Sequence, residues 1–247
     1  SNAADSAVGE AGDTAETHDA YAAKDGPIPL TTLDLHRNMM CCMGMGMCGL
    51  DTLINRCQSL SHLDLSDNSL GAPGMTLLAG MLWQCTSLVE LNVGFNHLWN
   101  EGAKSLADVV ERCPLLVKLD VSKNGIESSG MERLAASLAK CSSLEHLALG
   151  NNSLGGSGAQ WLASVLNRCR RLTRLDLASN RLDDQGMGML CSVLPDRCSL
   201  VHLDVAWNNI AADGAFHLAC VLARLPLLRT LNLRHNTLGR EGVWVLS

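Results

Sequence analysis

The sequence predicts an α/β solenoid: eight strand–helix repeats stacked into a horseshoe, with a parallel sheet on the concave face and helices on the convex face. Three observations predict it. A leucine opens equivalent units at Leu30, Leu60, Leu88, Leu116, Leu144, Leu172, Leu200 and Leu228, spaced 30 residues once and 28 thereafter. With that leucine as position 1, position 9 is asparagine in every unit, from Asn38 and Asn68 to Asn208 and Asn236. Within each unit an alternating apolar pattern gives way to a helical one, so one unit is a complete strand–loop–helix module.

Position 4 is Leu in all eight units, from Leu33 to Leu231, and position 6 is Leu or Val. That alternation marks a short strand with one buried face. An Asn amide both donates and accepts, so the position 9 ladder is expected to satisfy backbone groups where each strand turns outward. Position 11 is Leu or Ile except for Met40, and position 15 is Gly in units two to eight. Glycine there predicts close backbone approach at the loop–helix junction. Beyond it, Leu134, Ala135, Leu138 and Cys141 recur at helical spacing, as do Leu162, Ala163, Leu166 and Cys169. Strands stack about 4.8 Å apart and helices need roughly 8–10 Å. The stack must therefore bend, giving roughly a half ring with a strand layer about 34 Å long.

The chain of 247 residues is 47% hydrophobic with five Trp, two Phe and one Tyr, so its core is aliphatic. Six of the 11 cysteines close helices: Cys57, Cys85, Cys113, Cys141, Cys169 and, one residue out of register, Cys198. They read as small buried hydrophobes. Cys191 and Cys220 fall within helices, and no CxxC pair supports zinc or redox chemistry. A thiol ladder points to a reducing compartment, cytoplasmic or nuclear. The Asn151-Asn152-Ser153 sequon is then accidental.

Nineteen bases against 25 acids give a net charge of −6. Residues 1–29 carry −5 of it and residues 30–247 only −1. Without a basic stripe, nucleic acid is an unexpected partner, and without an 18-residue apolar run no membrane span is expected. Two regions are read: 1–29, a tag remnant (Ser1-Asn2-Ala3) and an acidic tail, and 30–247, the repeat domain. The tail is expected to contact basic side chains of the solenoid or of a neighbouring chain. The sequence stops at Ser247, one turn into the eighth helix, without a polar capping unit, so a fragment of a larger protein is expected.

The first unit holds two chemical decoys. Gly44, Gly46 and Gly49 spell GxGxxG, with Asp64 20 residues beyond Gly44. The glycines begin nine residues after Leu35, and Asp64 is an ordinary position 5 residue. A solenoid also lacks the switch-point crevice that dinucleotides occupy, so no cofactor is expected. The Met- and Cys-rich segment 39–48 reads as an adaptable apolar plug, with Cu(I) binding as the alternative.

Binding is expected on the concave face, at positions 3, 5, 7 and 8. Position 3 supplies His62, Lys118, His146, Arg174 and His202; position 5 supplies Asp64, Asp120, Asp176 and Asp204. An acidic column thus runs beside a mainly basic one, either neutralising each other or reading a partner. Position 8 places Phe95 and Trp207 among polar residues that include Lys123, and Trp99 follows in the third loop. Aromatic and arginine side chains on a surface are typical binding anchors. Six of the seven histidines beyond the tail lie on this face or its rim, too scattered for a metal site. Arg168, Arg170, Arg171 and Arg174 cluster where the fifth helix meets the sixth strand, and read as a solvated rim with anion binding as the alternative.

The motif LxxLxLxxNxL…GxxxLAxxL, as in LEHLALGNNSLGGSGAQWLASVL at 144–166, resembles the ribonuclease-inhibitor-like class of leucine-rich repeats. The resemblance covers residues 30–247. It is specific for fold and not for function; the concave-face residues make a non-catalytic scaffold that binds another protein the first expectation. The resemblance also admits a GTPase-activating protein of the Ran-activator type or a ligand-sensing fragment of a NOD-like receptor. Ribonuclease inhibitors alternate two repeat lengths, whereas this chain keeps 28. No nucleophile elbow, P-loop or HExxH pattern is present, so an enzyme in its own right is not expected.

Overall fold

The computed structural model describes residues 26–40, 46–194 and 199–247. Most of the acidic tail, residues 41–45 of the Met/Cys-rich segment (Gly44 among them) and Cys198 lie outside the described residues.

Eight three-residue strands form one parallel sheet in strict sequence order. They are β1 Thr32–Asp34, β2 His62–Asp64, β3 Glu90–Asn92, β4 Lys118–Asp120, β5 His146–Ala148, β6 Arg174–Asp176, β7 His202–Asp204 and β8 Thr230–Asn232. The register never slips: Leu33, Leu63, Leu91 and their successors pair directly with one another. Position 4 is therefore a continuous leucine row, 2% exposed in repeats two to seven, whereas positions 3 and 5 on either side stay accessible.

Each strand is followed by a helix: α1 Gly46–Arg56, α2 Gly71–Met81, α3 Trp99–Arg112, α4 Ser128–Leu138, α5 Gly155–Arg168, α6 Asp183–Val193, α7 Ala212–Leu222 and α8 Gly239–Val245. In repeats two to eight the helices begin before the position 15 glycine, which falls in the first turn. The reason is steric. A Cβ on Gly102 would lie 2.8 Å from the Leu98 Cβ and 3.3 Å from the Ala72 Cα of the preceding helix. Glycine there lets neighbouring helices close up, as the sequence predicts.

The core is one cluster, mostly leucine with Val, Ile, Met, Ala and Cys, from strands, loops and helix faces. Its ends are open. Leu228, Leu231, Leu233 and Leu238 of the last repeat, and Leu30, Leu33 and Leu35 of the first, are only half-buried where their counterparts are buried.

The asparagine ladder is the polar seam of this core. Asn96 is fully buried. Its Nδ2 donates to the carbonyls of Leu65 (2.8 Å), Val93 (3.0 Å) and Gly94 (3.1 Å). Its Oδ1 accepts from the amides of Asn68 (3.0 Å) and Leu70 (3.3 Å) in the preceding repeat. The same pattern repeats at Asn68, Asn124, Asn180 and Asn208. One side chain per turn thus ties two repeats together through groups that would otherwise be stranded.

The cysteine ladder is a second seam. Cys57, Cys85, Cys113, Cys141 and Cys169 are free and buried. The Sγ–H groups of Cys113, Cys141 and Cys169 point to carbonyls of the preceding repeat. Burial pushes the thiols of Cys113, Cys169 and Cys191 up to about 12 and that of Cys141 to about 11. At pH 8 a thiol at 12 is thiolate in only about one part in ten thousand, and the thiolate is the nucleophile. Iodoacetamide should therefore label exposed Cys220 quickly in the native protein and leave these four unmodified until urea unfolds it. Peptide mass spectrometry checks this; native labelling of Cys141 at the rate of Cys220 would refute it.

Candidate partner-binding face

The alternation of the strands places positions 3 and 5 together on the concave side. They line a trough of about 1010 Å³ that runs over all eight strands, with the position 4 leucines as its floor. His62, Lys118, Asp120, Arg174, Asp176 and His202 all line it. Phe95, Lys123, Trp207 and Trp99 do not. They follow the strands in the loops, so position 8 forms the rim of the trough and not its wall.

Among the described residues no ion pair joins position 3 to position 5. Within the position 3 row, Lys118 Nζ lies 2.5 Å and His62 Nε2 3.6 Å from Glu90 Oε1. His202 Nδ1 contacts Thr230 Oγ1. In the position 5 column one side-chain oxygen of each Asp and Asn accepts from the amide two residues on. Examples are Asp64 from Ser66 (2.9 Å), Asp120 from Ser122 (2.8 Å), Asp176 from Ala178 (2.9 Å) and Asp204 from Ala206 (2.9 Å). These are Asx turns that shape the strand ends. Aspartate here is thus partly scaffold, for a reason that charge counting misses. The arginine cluster also separates, because Arg171 pairs with Glu145 at 2.5 Å while Arg174 lines the trough.

Asp176 is the exception in the column. Burial is the largest cause holding its carboxyl above the usual range, offset by the Ala178 amide and reinforced by Asp204 and Asp120. Its direct cross-strand partner is Asp204, so two carboxylates face each other in register. The folded state holds the Asp176 proton more tightly than the unfolded chain, whose ordinary value is 3.8. Stability is therefore lost as pH rises from 3.8 through the raised value. Asp176→Asn keeps the turn acceptor and removes one of two opposed charges, a change of up to about 1 kcal/mol in favour of the variant at pH 7. Urea midpoints across pH 3–7 should show that advantage shrinking as pH falls towards 3.8. A pH-independent difference between the two proteins would contradict it.

The rim has a property that no residue type announces. Position 8 has positive φ in every repeat, including Phe95 (57°), Lys123 (56°) and Trp207 (57°). Asn or Asp suit that region, but only Asp67 and Asn151 supply them, and a bulky residue pays about 1–2 kcal/mol. The conformation is imposed by the next repeat. The Phe95 amide donates to the Ser122 carbonyl (2.8 Å), that of Lys123 to Gly150 (2.8 Å) and that of Trp207 to Arg234 (3.0 Å). The side chains then touch along the rim. Lys123 Nζ sits 5.4 Å from the Phe95 ring centroid, and Trp207 stacks on His235 with centroids 3.8 Å apart and planes 13° apart. Phe95 remains 44% and Trp207 57% exposed. Trp99 differs: its ring lies against Gly125 of the next loop, where an added Cβ would meet it at 2.6 Å. His235 beneath Trp207 and the small residues Ala148 and Gly150 were not singled out by the sequence. Nothing in a single repeat marks them, since their importance comes from the neighbours they stand beside.

The leucine-rich repeat family model matches seven segments, residues 56–79, 84–107, 112–135, 140–163, 168–191, 198–219 and 224–247, together more than half of the chain. The chain belongs to the leucine-rich repeat family. Members of this family generally mediate protein–protein interaction. No curated protein sequence matches the chain. Among solved structures it is similar to an internalin from Listeria monocytogenes, with 18% identity, a TM-score of 0.40, and coverage of 80% of this chain and 68% of that one. Among the described residues no helix is long and apolar enough to cross a membrane, and no group of His, Cys, Asp or Glu is placed to hold a metal ion.

Proposed function

We propose that this chain is a non-catalytic scaffold that binds another protein over the concave trough, with Phe95 and Trp207 as rim anchors. The observation that carries this reading is the pair of large aromatics held half-exposed in left-handed backbone. Neither burial nor local conformation rewards an aromatic there, whereas a partner surface does. Lys118, Lys123, Asp120, Arg174, Asp176, His62 and His202 supply the polar ring around the anchors, and Trp99 supports the loop beside Phe95.

The 28-residue repeat, with a full helix after each strand, supports the ribonuclease-inhibitor-like subtype. The ladder of buried free thiols supports a reducing compartment, cytoplasmic or nuclear. Residues 30–247 are taken as the repeat domain and residues 1–29 as a separate acidic tail. Affinity capture with wild-type, Phe95→Ala and Trp207→Ala proteins tests the reading. Partners retained by wild type and lost by both variants support it; partners indifferent to both overturn it.

A further inference from the structure

The middle of the trough departs from the repeat pattern. Position 5 carries Ala148 in the fifth repeat, where all other repeats carry Asp or Asn. Ala148 pairs in register with Asp120 on one side and Asp176 on the other. The methyl group thus opens a notch between two carboxylates two strands apart, about 9.6 Å between Cα atoms. Position 7 of the same repeat is Gly150, and the Asp176 carboxylate leans into the space its side chain would fill: a Cβ there would meet Asp176 Oδ2 at 2.9 Å.

The acceptors of this notch are unspent. In the second and seventh repeats the second carboxylate oxygen is bonded by the next repeat, Asp64 Oδ2 by Asn92 Nδ2 (2.9 Å) and Asp204 Oδ2 by Asn232 Nδ2 (2.8 Å). Alanine at 148 and aspartate at 204 cannot donate such a bond to Asp120 and Asp176, and among the described residues their Oδ2 atoms accept none. The neighbouring position 3 row is asymmetric too. Lys118 is spent on Glu90, whereas Arg174 has no ion pair among the described residues. His146 between them is held below its ordinary value by burial, Arg174 and Lys118, so it adds no competing cation at neutral pH. Open carboxylates and an open guanidinium therefore lie side by side, about 6.6 Å apart along one strand.

We propose that the notch over Ala148 takes the guanidinium of an arginine presented by a protein partner, with Arg174 meeting a carboxylate of the same segment. The proposal rests on the trough being a protein-binding surface and names the chemistry it reads. Reach and fork geometry distinguish arginine from lysine. An ammonium with two hydrogen bonds of about 2.8 Å spans under 6 Å, whereas a planar guanidinium with outward-pointing N–H groups spans about 8 Å. The fork also matches carboxylates geometrically.

The test uses Nα-acetyl-arginine methylamide as probe, titrated into the ¹⁵N-labelled full chain, with the citrulline and lysine analogues as controls. The amides of Ser122, Ala148 and Ala178 should shift saturably with the arginine probe. The citrulline analogue should give no saturable shift, and the lysine analogue should bind several-fold more weakly. Asp120→Asn/Asp176→Asn, which keeps both turn acceptors, should weaken the arginine probe at least tenfold without loss of thermal stability. Absence of saturation, equal response to citrulline or lysine, or an unchanged double variant would each overturn the proposal. Phe95→Ala and Trp207→Ala should leave the titration unchanged. A captured protein that needs those aromatics and ignores Asp120 and Asp176 would keep the scaffold reading and overturn the arginine notch. Saturable arginine binding alongside capture indifferent to both aromatics would do the reverse.

Discussion

Asn96→Ala is expected to cost about 4 kcal/mol of folding stability. Five hydrogen bonds end on this one amide, linking the second and third repeats, at a site with no exposure to water. Each buried group left unpaired costs about 1–3 kcal/mol, moderated by partial rearrangement. Asn96→Asp should be comparably harmful, because it removes three donor bonds and buries a charge. Asn236 is the internal control. It makes the same bonds, to Val205 (2.9 Å) and Leu233 (2.9 Å) and from Asn208 (3.0 Å) and Ile210 (3.0 Å), but it is only half-buried in the last repeat. Water can replace part of what is lost there, so Asn236→Ala should cost about 1 kcal/mol. Urea denaturation of the three proteins decides the matter. Equal losses at Asn96 and Asn236 would show that the ladder is not a buried seam.

Trp207→Ala is expected to weaken capture of a protein partner by at least about 30-fold, about 2 kcal/mol, the scale of an aromatic hot spot at the centre of an interface. Trp207→Asn should lose binding equally and fold more stably, by about 1 kcal/mol. Asparagine accommodates the positive φ of 57° that tryptophan must be forced into. Loss of its stacking on His235 offsets part of that gain. Binding isotherms and thermal melts of the two variants measure both effects. The combination matters, since a residue that weakens the fold and strengthens the complex is the signature of a surface kept for its partner. If Trp207→Asn destabilised the protein and left capture intact, Trp207 would be a packing residue of the loop.

The fold was legible because its determinants are local and repeated. Leu91 and Val93 alternate, Asn96 follows three residues later, and Gly102 with Leu106 starts a helical stripe; the same set recurs every 28 residues, so noise at any one position averages out. The candidate site was legible only as a list of columns. Arg174 and Asp176 look like a matched pair in sequence. Yet Asp176 turns to the Ala178 amide, and nothing bridges the two residues along the strand. Phe95 and Trp207 could be picked out as unusual, but their place on the rim follows from backbone held by the next repeat.

By itself, then, the sequence determined the repeat, its strand and helix, the aliphatic core and the two ladders of Asn and Cys, because each depends on residue types at fixed spacing within one unit. Only the tertiary structure decided what the surface offers. Stacking sets the left-handed backbone at Phe95, Lys123 and Trp207 through amides bonded to the following repeat. Stacking likewise sets one alanine, Ala148, between two carboxylates whose outer oxygens the ladder leaves unbonded. A charge in sequence becomes a charge available for binding only when its neighbours in the next turn leave it unpaired. The −6 of the whole chain says nothing about that.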